Sequence, residues 1–510
     1  MLFNSYVFLF VFLPVALAGS YMLAGRGWQR MAMLYLVGMS LFFYGWWNPV
    51  YLWLLGTSVL TNFTLGIALN RVEAVKLRRL LMILGIAFNL ALLGYFKYAN
   101  FFVDSLNGAI GSSFTLETIV LPLAISFFTF QQITYIVDTW KGVVKEHSFL
   151  HYCLFVTFFP QLLAGPIVHH KEMLPQFKQP SAMRFNYGNL AVGSALLVLG
   201  LFKKVIMADS LGAYAAPTFE IAEQGGTVYF LPGWIATIAF TLGVYFDFAA
   251  YSDMALGLAR MFGIHLPINF LSPMKARNII ELWQGWHITL TRFLRNYIFK
   301  PLGGAQKGAA RRHLNTLITM LLGGLWHGAS WNFVIWGGLN GLFLVINHVW
   351  ITVCQRLGWP LSGYRGWRVF SHLLTFSAFC AAAVFFKAET LDSASAMLAG
   401  MLGLNGFAMT QFMLGSLLQL GMLDFLLIYG QGIAMMVWTL IMVLYLPNVY
   451  QIMGEGMAAA GFYPRRLYRY SGRRLRWQPN GRWAFAMAIL LLYVLHAMTT
   501  QVQEFIYFQF

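Results

Sequence analysis

Long apolar runs recur along the chain, at residues 3–23, 31–46, 50–68, 80–96, 119–136, 190–207, 228–248, 333–353, 369–386, 395–415, 423–446 and 483–499. Most approach the roughly 17 to 25 residues that a helix needs to cross a hydrocarbon core of about 30 Å. The two-residue alternation of a membrane β-barrel is not seen. The pattern therefore predicts an all-α, polytopic membrane helical bundle.

The polar breaks between runs carry the topology. Arg26 and Arg30 follow the first run, and Arg71, Lys76, Arg78 and Arg79 follow the third, with the uncharged Trp46-Trp47-Asn48-Pro49 turn between them. If basic loops face the cytoplasm, the N-terminus faces outward. The stretch with Asp104 and Glu117 suits an external loop, and the seven arginines from Arg465 to Arg482, without an acid among them, suit the cytoplasmic side. No lysine or arginine precedes Arg26, so the first run is expected to be a retained span and not a secretory signal. Between Phe159 and Pro166, two prolines and a glycine should turn the chain inside the protein, because freed backbone groups at membrane depth need protein or water partners.

Composition sharpens this picture. Of 510 residues, 59% are hydrophobic, 17% aromatic and 10% charged, with a mean hydropathy of +0.65. Soluble domains carry about a quarter charged residues, so that class is excluded. The net charge of +17 is spread over short loops, which argues for topology signals and anionic-lipid contacts and against nucleic acid. Cys153, Cys354 and Cys380 lack CxxC spacing, so neither a disulfide framework nor a metal site is expected.

Ionisable residues within apolar sequence are the candidates for chemistry. Asp247 and Asp253 need partners; Lys275, Arg277, Arg292 and Arg295 are the nearest cations in sequence, and a structural ion pair is the favoured role. The stretch 280–348 holds His287 and His327, each directly after a tryptophan. If 281–298 is helical, Trp283, His287, Thr291 and Arg295 share one face. Arg292, Arg295 and Lys300 then precede a Pro301-Leu302-Gly303-Gly304 stop, as phosphate contacts or as ordinary cytoplasmic anchors. Gly323, Gly324 and Gly328 let backbones approach closely beside His327. A histidine in such a place is either a hydrogen-bonded core residue or a catalyst.

The motifs in order resolve that choice. Phe159-Pro160-Gln161 with Gly165-Pro166, Tyr245-Phe246-Asp247-Phe248 with Tyr251-Ser252-Asp253-Met254, Trp286-His287-Ile288 with Leu294-Arg295, and Leu325-Trp326-His327-Gly328-Ala329 together resemble the membrane-bound O-acyltransferase family. Leu93 to Asn100, Thr129-Phe130-Gln131 and the closing Tyr507-Phe508-Gln509-Phe510 add to the resemblance, which is strongest to the bacterial branch that serves alginate O-acetylation and teichoic acid D-alanylation. Departures are Gln284-Gly285 and Asn296, where relatives commonly carry two arginines and an aspartate, and Ala250 in place of a glycine.

The resemblance implies one integral-membrane domain over 1–510, with core motifs at about 90–350 and accessory helices at about 369–510, broken helices surrounding a central catalytic cavity. It implies His327 as the central catalytic histidine and His287 as the second. An imidazole near its pKa can take the proton of a sugar hydroxyl as a thioester carbonyl is attacked, or can carry the acyl group itself. Trp326 and Trp331 are candidate oxyanion donors, and Trp283, Thr291, Arg292, Arg295 and Asn296 are further candidates for donor or substrate contact. The implied setting is the bacterial inner membrane, with acetyl-CoA as donor, no bound cofactor or metal, and an exported polysaccharide as acceptor. A periplasmic acetyltransferase partner and a secretion machinery are implied with it. D-alanyl transfer to a cell-wall polymer is the alternative. A polytopic transporter would show repeated halves with matching helix breaks, and none is found.

Overall fold

The computed structural model describes residues 1–360, 363–407, 432, 434–454, 476–499 and 505. Parts of the apolar runs 395–415 and 423–446, the arginine-rich segment from 465 to 475, and the closing Tyr507-Phe508-Gln509-Phe510 lie outside the described residues. Among the described residues every regular element is a helix, and seven helices are long and apolar enough to cross a membrane. The all-α polytopic membrane fold follows directly from the pattern of apolar runs.

In chain order the helices are α1 (Phe8–Gly25), α2 (Gln29–Gly45), α3 (Tyr51–Arg71), α4 (Val75–Ile110), α5 (Ile125–Trp140), α6 (Phe149–Thr157), α7 (His170–Phe177), α8 (Tyr187–Glu223) and α9 (Phe230–Met261). Then come α10 (Ile279–Gly285), α11 (Ile288–Leu294), α12 (Gly308–His327), α13 (Trp331–Arg356), α14 (Arg365–Lys387), α15 (Leu391–Met401), α16 (Ala434–Tyr445), α17 (Val449–Met453) and α18 (Gly481–Ala497). The spans are α1, α3, α4, α8, α9, α13 and α14. The expected external loop after residue 97 begins later, since α4 runs on to Ile110 and carries Asp104. The expected span 119–136 becomes the shorter, almost wholly buried α5.

The chain divides into two compact units. The first comprises Met1–Leu201, Ala250–Ile268 and Val449–Met498. Its aromatic centre joins Phe8, Phe12, Phe43 and Phe159. Asn62 on α3 and Asn89 on α4 exchange amide hydrogen bonds of 3.1 and 2.6 Å, which satisfies both side chains in an apolar interior. The proline break after α6 is buried, as expected. Its freed groups find partners: the Phe159 amide donates to Ser40 Oγ at 3.1 Å, and Gln161 Nε2 donates to the Phe155 carbonyl at 2.6 Å. Asp253 accepts from the Tyr450 hydroxyl at 2.5 Å.

The second unit comprises Phe202–Ala249, Asn269–Asn448 and Thr499–Phe510. Here Lys204, fully buried on α8, lies 2.8 Å from both Asp209 and Asp247, under the ring of Phe505. This corrects the expected pairing. Asp247 takes its cation from the preceding span, while Lys275 donates to the Leu446 carbonyl at 2.6 Å. Sequence proximity misled because helical neighbours in space come from whichever span packs alongside.

α12 and α13 form a tight hairpin. A Cβ at Gly324 would fall onto the Phe333 carbonyl oxygen, and one at Gly337 onto the Met320 carbonyl oxygen. Only glycine permits this approach, the small-residue packing of membrane helices. The hairpin turn therefore places His327, the last residue of α12, against α13.

Candidate functional site

The site is organised by an asparagine that the sequence reading did not single out. Asn269, fully buried, lies in the irregular segment between α9 and α10. Its backbone carbonyl accepts from the Ile288 amide at 2.9 Å, and the Leu271 amide donates to the Gly285 carbonyl at 2.8 Å. These bonds fasten residues 269–271 along 285–288. Gly285 suits the contact, since a Cβ there would sit 2.8 Å from the Leu271 carbonyl oxygen.

The side chain of Asn269 completes the arrangement. Its Oδ1 accepts from the Thr289 amide at 3.2 Å, from Thr289 Oγ1 at 2.8 Å, and contacts His287 Nδ1 at 3.0 Å. A backbone amide can only donate, so the atom facing it is the carbonyl oxygen, and His287 Nδ1 must carry a proton. His287 Nε2 is then the lone-pair nitrogen of the neutral ring. It is buried without a hydrogen-bond partner among the described residues. Burial pulls the pKa of this imidazole from 6.5 down to about 3, which keeps it neutral.

This network also explains why 281–298 is not one helix. His287 adopts φ 40°, ψ 55°, left-handed backbone that disfavours a non-glycine residue by on the order of 1 kcal/mol or more. The chain breaks there into α10 and α11, and a wider π turn follows over Arg295–Phe299. Trp283, His287, Thr291 and Arg295 therefore do not share a face. An asparagine able to accept three hydrogen bonds competes successfully with the helical ladder.

His287 and His327 line one cavity of about 30 Å³, together with Phe248, Trp286, Trp336 and Phe386. His287 is 0% and His327 6% exposed. The His287 ring centroid lies 4.7 Å from Phe248, edge-on, and 6.1 Å from Trp326; Trp326 in turn is 4.9 Å from His327. Trp336 and Phe386 flank His327 at 5.0 and 5.2 Å, both edge-on. Two buried imidazoles thus share a small, mostly aromatic cavity with an indole near each, a setting of low local polarity in which electrostatic interactions are stronger than in bulk water.

The other candidates are placed differently. Trp283 is buried one ring outside the chamber, 5.9 Å from Trp336. Thr291, Arg292 and Asn296 are partly buried on the turns after His287, and Arg295 is exposed. Trp331 is 55% exposed at the start of α13. None of these lines the chamber. Asp247 and Asp253 are buried in the polar contacts already described. Among the described residues, no three histidine, cysteine, aspartate or glutamate side chains cluster as a metal would need.

The sequence is similar to known proteins over most of its length. The profile of the membrane-bound O-acyltransferase family matches residues 141–386, which include both histidines and Asn269. The peptidoglycan O-acetyltransferase of Helicobacter pylori is 40% identical over 435 residues, 80% of this chain and 81% of that protein. A Pseudomonas putida protein named "Probable alginate O-acetylase AlgI" is 36% identical over 81% of this chain and 82% of its own. The teichoic acid D-alanyltransferase of Streptococcus thermophilus is 29% identical over 45% of this chain and 57% of its own.

Proposed function

This chain belongs to the membrane-bound O-acyltransferase family, and we propose that it moves an acetyl group from a cytoplasmic thioester, acetyl-CoA, across or within the bacterial inner membrane for O-acetylation of an exported polysaccharide. The observation that carries the reading is the small cavity shared by His287 and His327. The relatives matched over four-fifths of the chain are named for acetylation of peptidoglycan or alginate, which favours acetyl over D-alanyl transfer.

In this reading His327 takes the proton of the acceptor hydroxyl as that oxygen attacks the thioester carbonyl carbon. The tetrahedral intermediate then collapses, the carbon–sulfur bond breaks, and the proton passes to the departing thiolate. Alternatively, His327 attacks the thioester first and carries the acetyl group to the hydroxyl in a second step. His287 orients the reacting group or relays the proton through Nε2. Trp326, buried against both rings though not itself lining the cavity, is the nearer of the two indole candidates for the oxyanion; Trp331, largely exposed, is set aside for that role. The N-terminus faces the periplasm, where a separate acetyltransferase and the secretion machinery complete transfer to the polymer.

The test is acetyl transfer from radiolabelled acetyl-CoA in membranes bearing the wild-type chain, His327→Ala or His287→Ala, each checked for folded protein. Loss of transfer in His327→Ala is expected. Near wild-type transfer with His327→Ala would remove this histidine from the chemistry. Label trapped on the wild-type protein by rapid denaturation near neutral pH, released by hydroxylamine and by acid, and absent from His327→Ala, would select the covalent route.

A further inference from the structure

A second cavity, of about 1000 Å³, opens in the second unit between the C-terminal half of α13 and the N-terminal half of α14. Residues 277–281 close one side. It shares no lining residue with the histidine chamber. Its size reaches the upper end of ligand pockets, roughly 300–1,000 Å³.

The lining is graded from end to end. Phe343, Ile346, Leu374 and Ala378 make a mainly apolar wall, with Asn347, Ser371 and Thr375 set among them, and Ile346 and Leu374 are 54% and 57% exposed among the described residues. At the other end three tryptophans gather: Trp350 lies 6.4 Å from Trp359 and 5.7 Å from Trp367. Arg277 and Arg368 stand among them. Glu281, the one acid among the described lining residues, accepts from the Arg277 backbone amide at 2.9 Å. The mouth is therefore cationic on balance.

Distance along α14 fixes the scale. Ten residues separate Arg368 from Ala378, a helical rise of about 15 Å, or half of a hydrocarbon core of about 30 Å. Tryptophans collect at headgroup level, and guanidinium groups match phosphate. Apolar wall, indole belt and cationic mouth thus follow one another at the spacing of one lipid leaflet.

We propose that this groove binds one anionic phospholipid, its acyl chains along the α13–α14 wall and its phosphate at Arg277 and Arg368. The recognition chemistry, a phosphate ahead of an apolar tail, is shared with an acyl-CoA. The leaflet-length wall and the separation from both histidines favour the lipid. The binding has a structural consequence. Ala378 in the groove is followed by Phe379 in the histidine chamber, and His372 Nδ1 lies 2.9 Å from the Ala276 carbonyl, so a bound lipid braces α14 against the segment that leads to His287.

Cys354 lines the groove and reports its occupancy. Full-length protein in micelles containing phosphatidylglycerol or phosphatidylcholine would be treated with a maleimide, and labelling of Cys354 followed by peptide mass spectrometry. Phosphatidylglycerol should slow labelling about thirtyfold more than phosphatidylcholine, the scale of preference that two arginines at an anionic headgroup supply at about 1 kcal/mol each. Arg277→Gln/Arg368→Gln should abolish that preference. Ala378→Trp, which fills the apolar end and keeps both arginines, should lower phosphatidylglycerol retention by native mass spectrometry, and serves if the double variant misfolds. Equal protection by the two lipids in the wild type overturns the proposal. So does protection by acetyl-CoA without protection by phosphatidylglycerol, which would assign the groove to the thioester donor.

Discussion

Asn269→Ala probes the catalytic reading where it is most exposed. The substitution removes one oxygen that serves three donors: His287 Nδ1–H, the Thr289 amide and Thr289 Oγ1. Each buried donor left unmet costs about 1–3 kcal/mol, and the left-handed His287 loses the contacts that hold it. Partial relaxation keeps the sum below three times that figure, so a stability loss of about 2–4 kcal/mol is expected. The imidazole is also freed to turn or to change tautomer. Losing about 1.4–3 kcal/mol of transition-state stabilisation lowers kcat by roughly 10- to 150-fold. The assay is acetyl transfer by detergent-purified protein, with thermal unfolding alongside. Asn269→Asp separates position from charge. Its carboxylate keeps all three acceptor contacts but favours imidazolium, raising a His287 pKa that burial now holds near 3. Its acidic limb in kcat/KM should therefore move to higher pH, with much of the high-pH rate retained. Folded Asn269→Ala with wild-type kcat, or Asn269→Asp with an unshifted pH profile, would refute the idea that this asparagine sets the tautomer of a working histidine.

Three further outcomes are expected. Gly324→Leu should separate the α12–α13 hairpin and lower stability by more than about 2 kcal/mol, whereas Gly338→Ala, which meets only the flexible end of Leu321, should change it by less than about 1 kcal/mol; thermal melts of the two variants check this. Lys204→Met strands two buried carboxylates and should cost about 3–5 kcal/mol, and adding Asp209→Asn/Asp247→Asn should restore most of the folded yield seen by size-exclusion chromatography. Burial holds the His170 pKa at about 4 against an ordinary 6.5, so the unfolded chain binds its proton first as pH falls. The stability of the neutral form is present above pH 6.5 and declines towards pH 4, by up to about 3 kcal/mol. Unfolding measured across that range should show a shallower slope in His170→Gln.

The membrane-spanning helices were legible because each must satisfy its backbone within one apolar segment, a local requirement written in consecutive residues. The break at Phe159–Pro166, the two histidines and the close-approach glycines at 324 and 328 were legible for related reasons, since a proline, an ionisable ring or a missing side chain in apolar sequence needs a local explanation. The partners of those residues were not. Lys204 reaches Asp247 from another span, and Asn269 reaches His287 across a break in the helix that sequence periodicity carries through. A clue to Asn269 existed, an amide between Ile268 and Phe270 that burial would leave costly unless bonded, but nothing in sequence says with what.

Sequence by itself therefore determined the solvent, the helices and the kind of chemistry, because hydrophobic length, turn residues and buried titratable groups act over a few neighbours along the chain. Tertiary structure alone decided which nitrogen of His287 carries the proton, how small the cavity is, and which cation neutralises which carboxylate. Those properties depend on hydrogen bonds and packing between segments distant in sequence, where an offset of one ångström separates a bond from a gap.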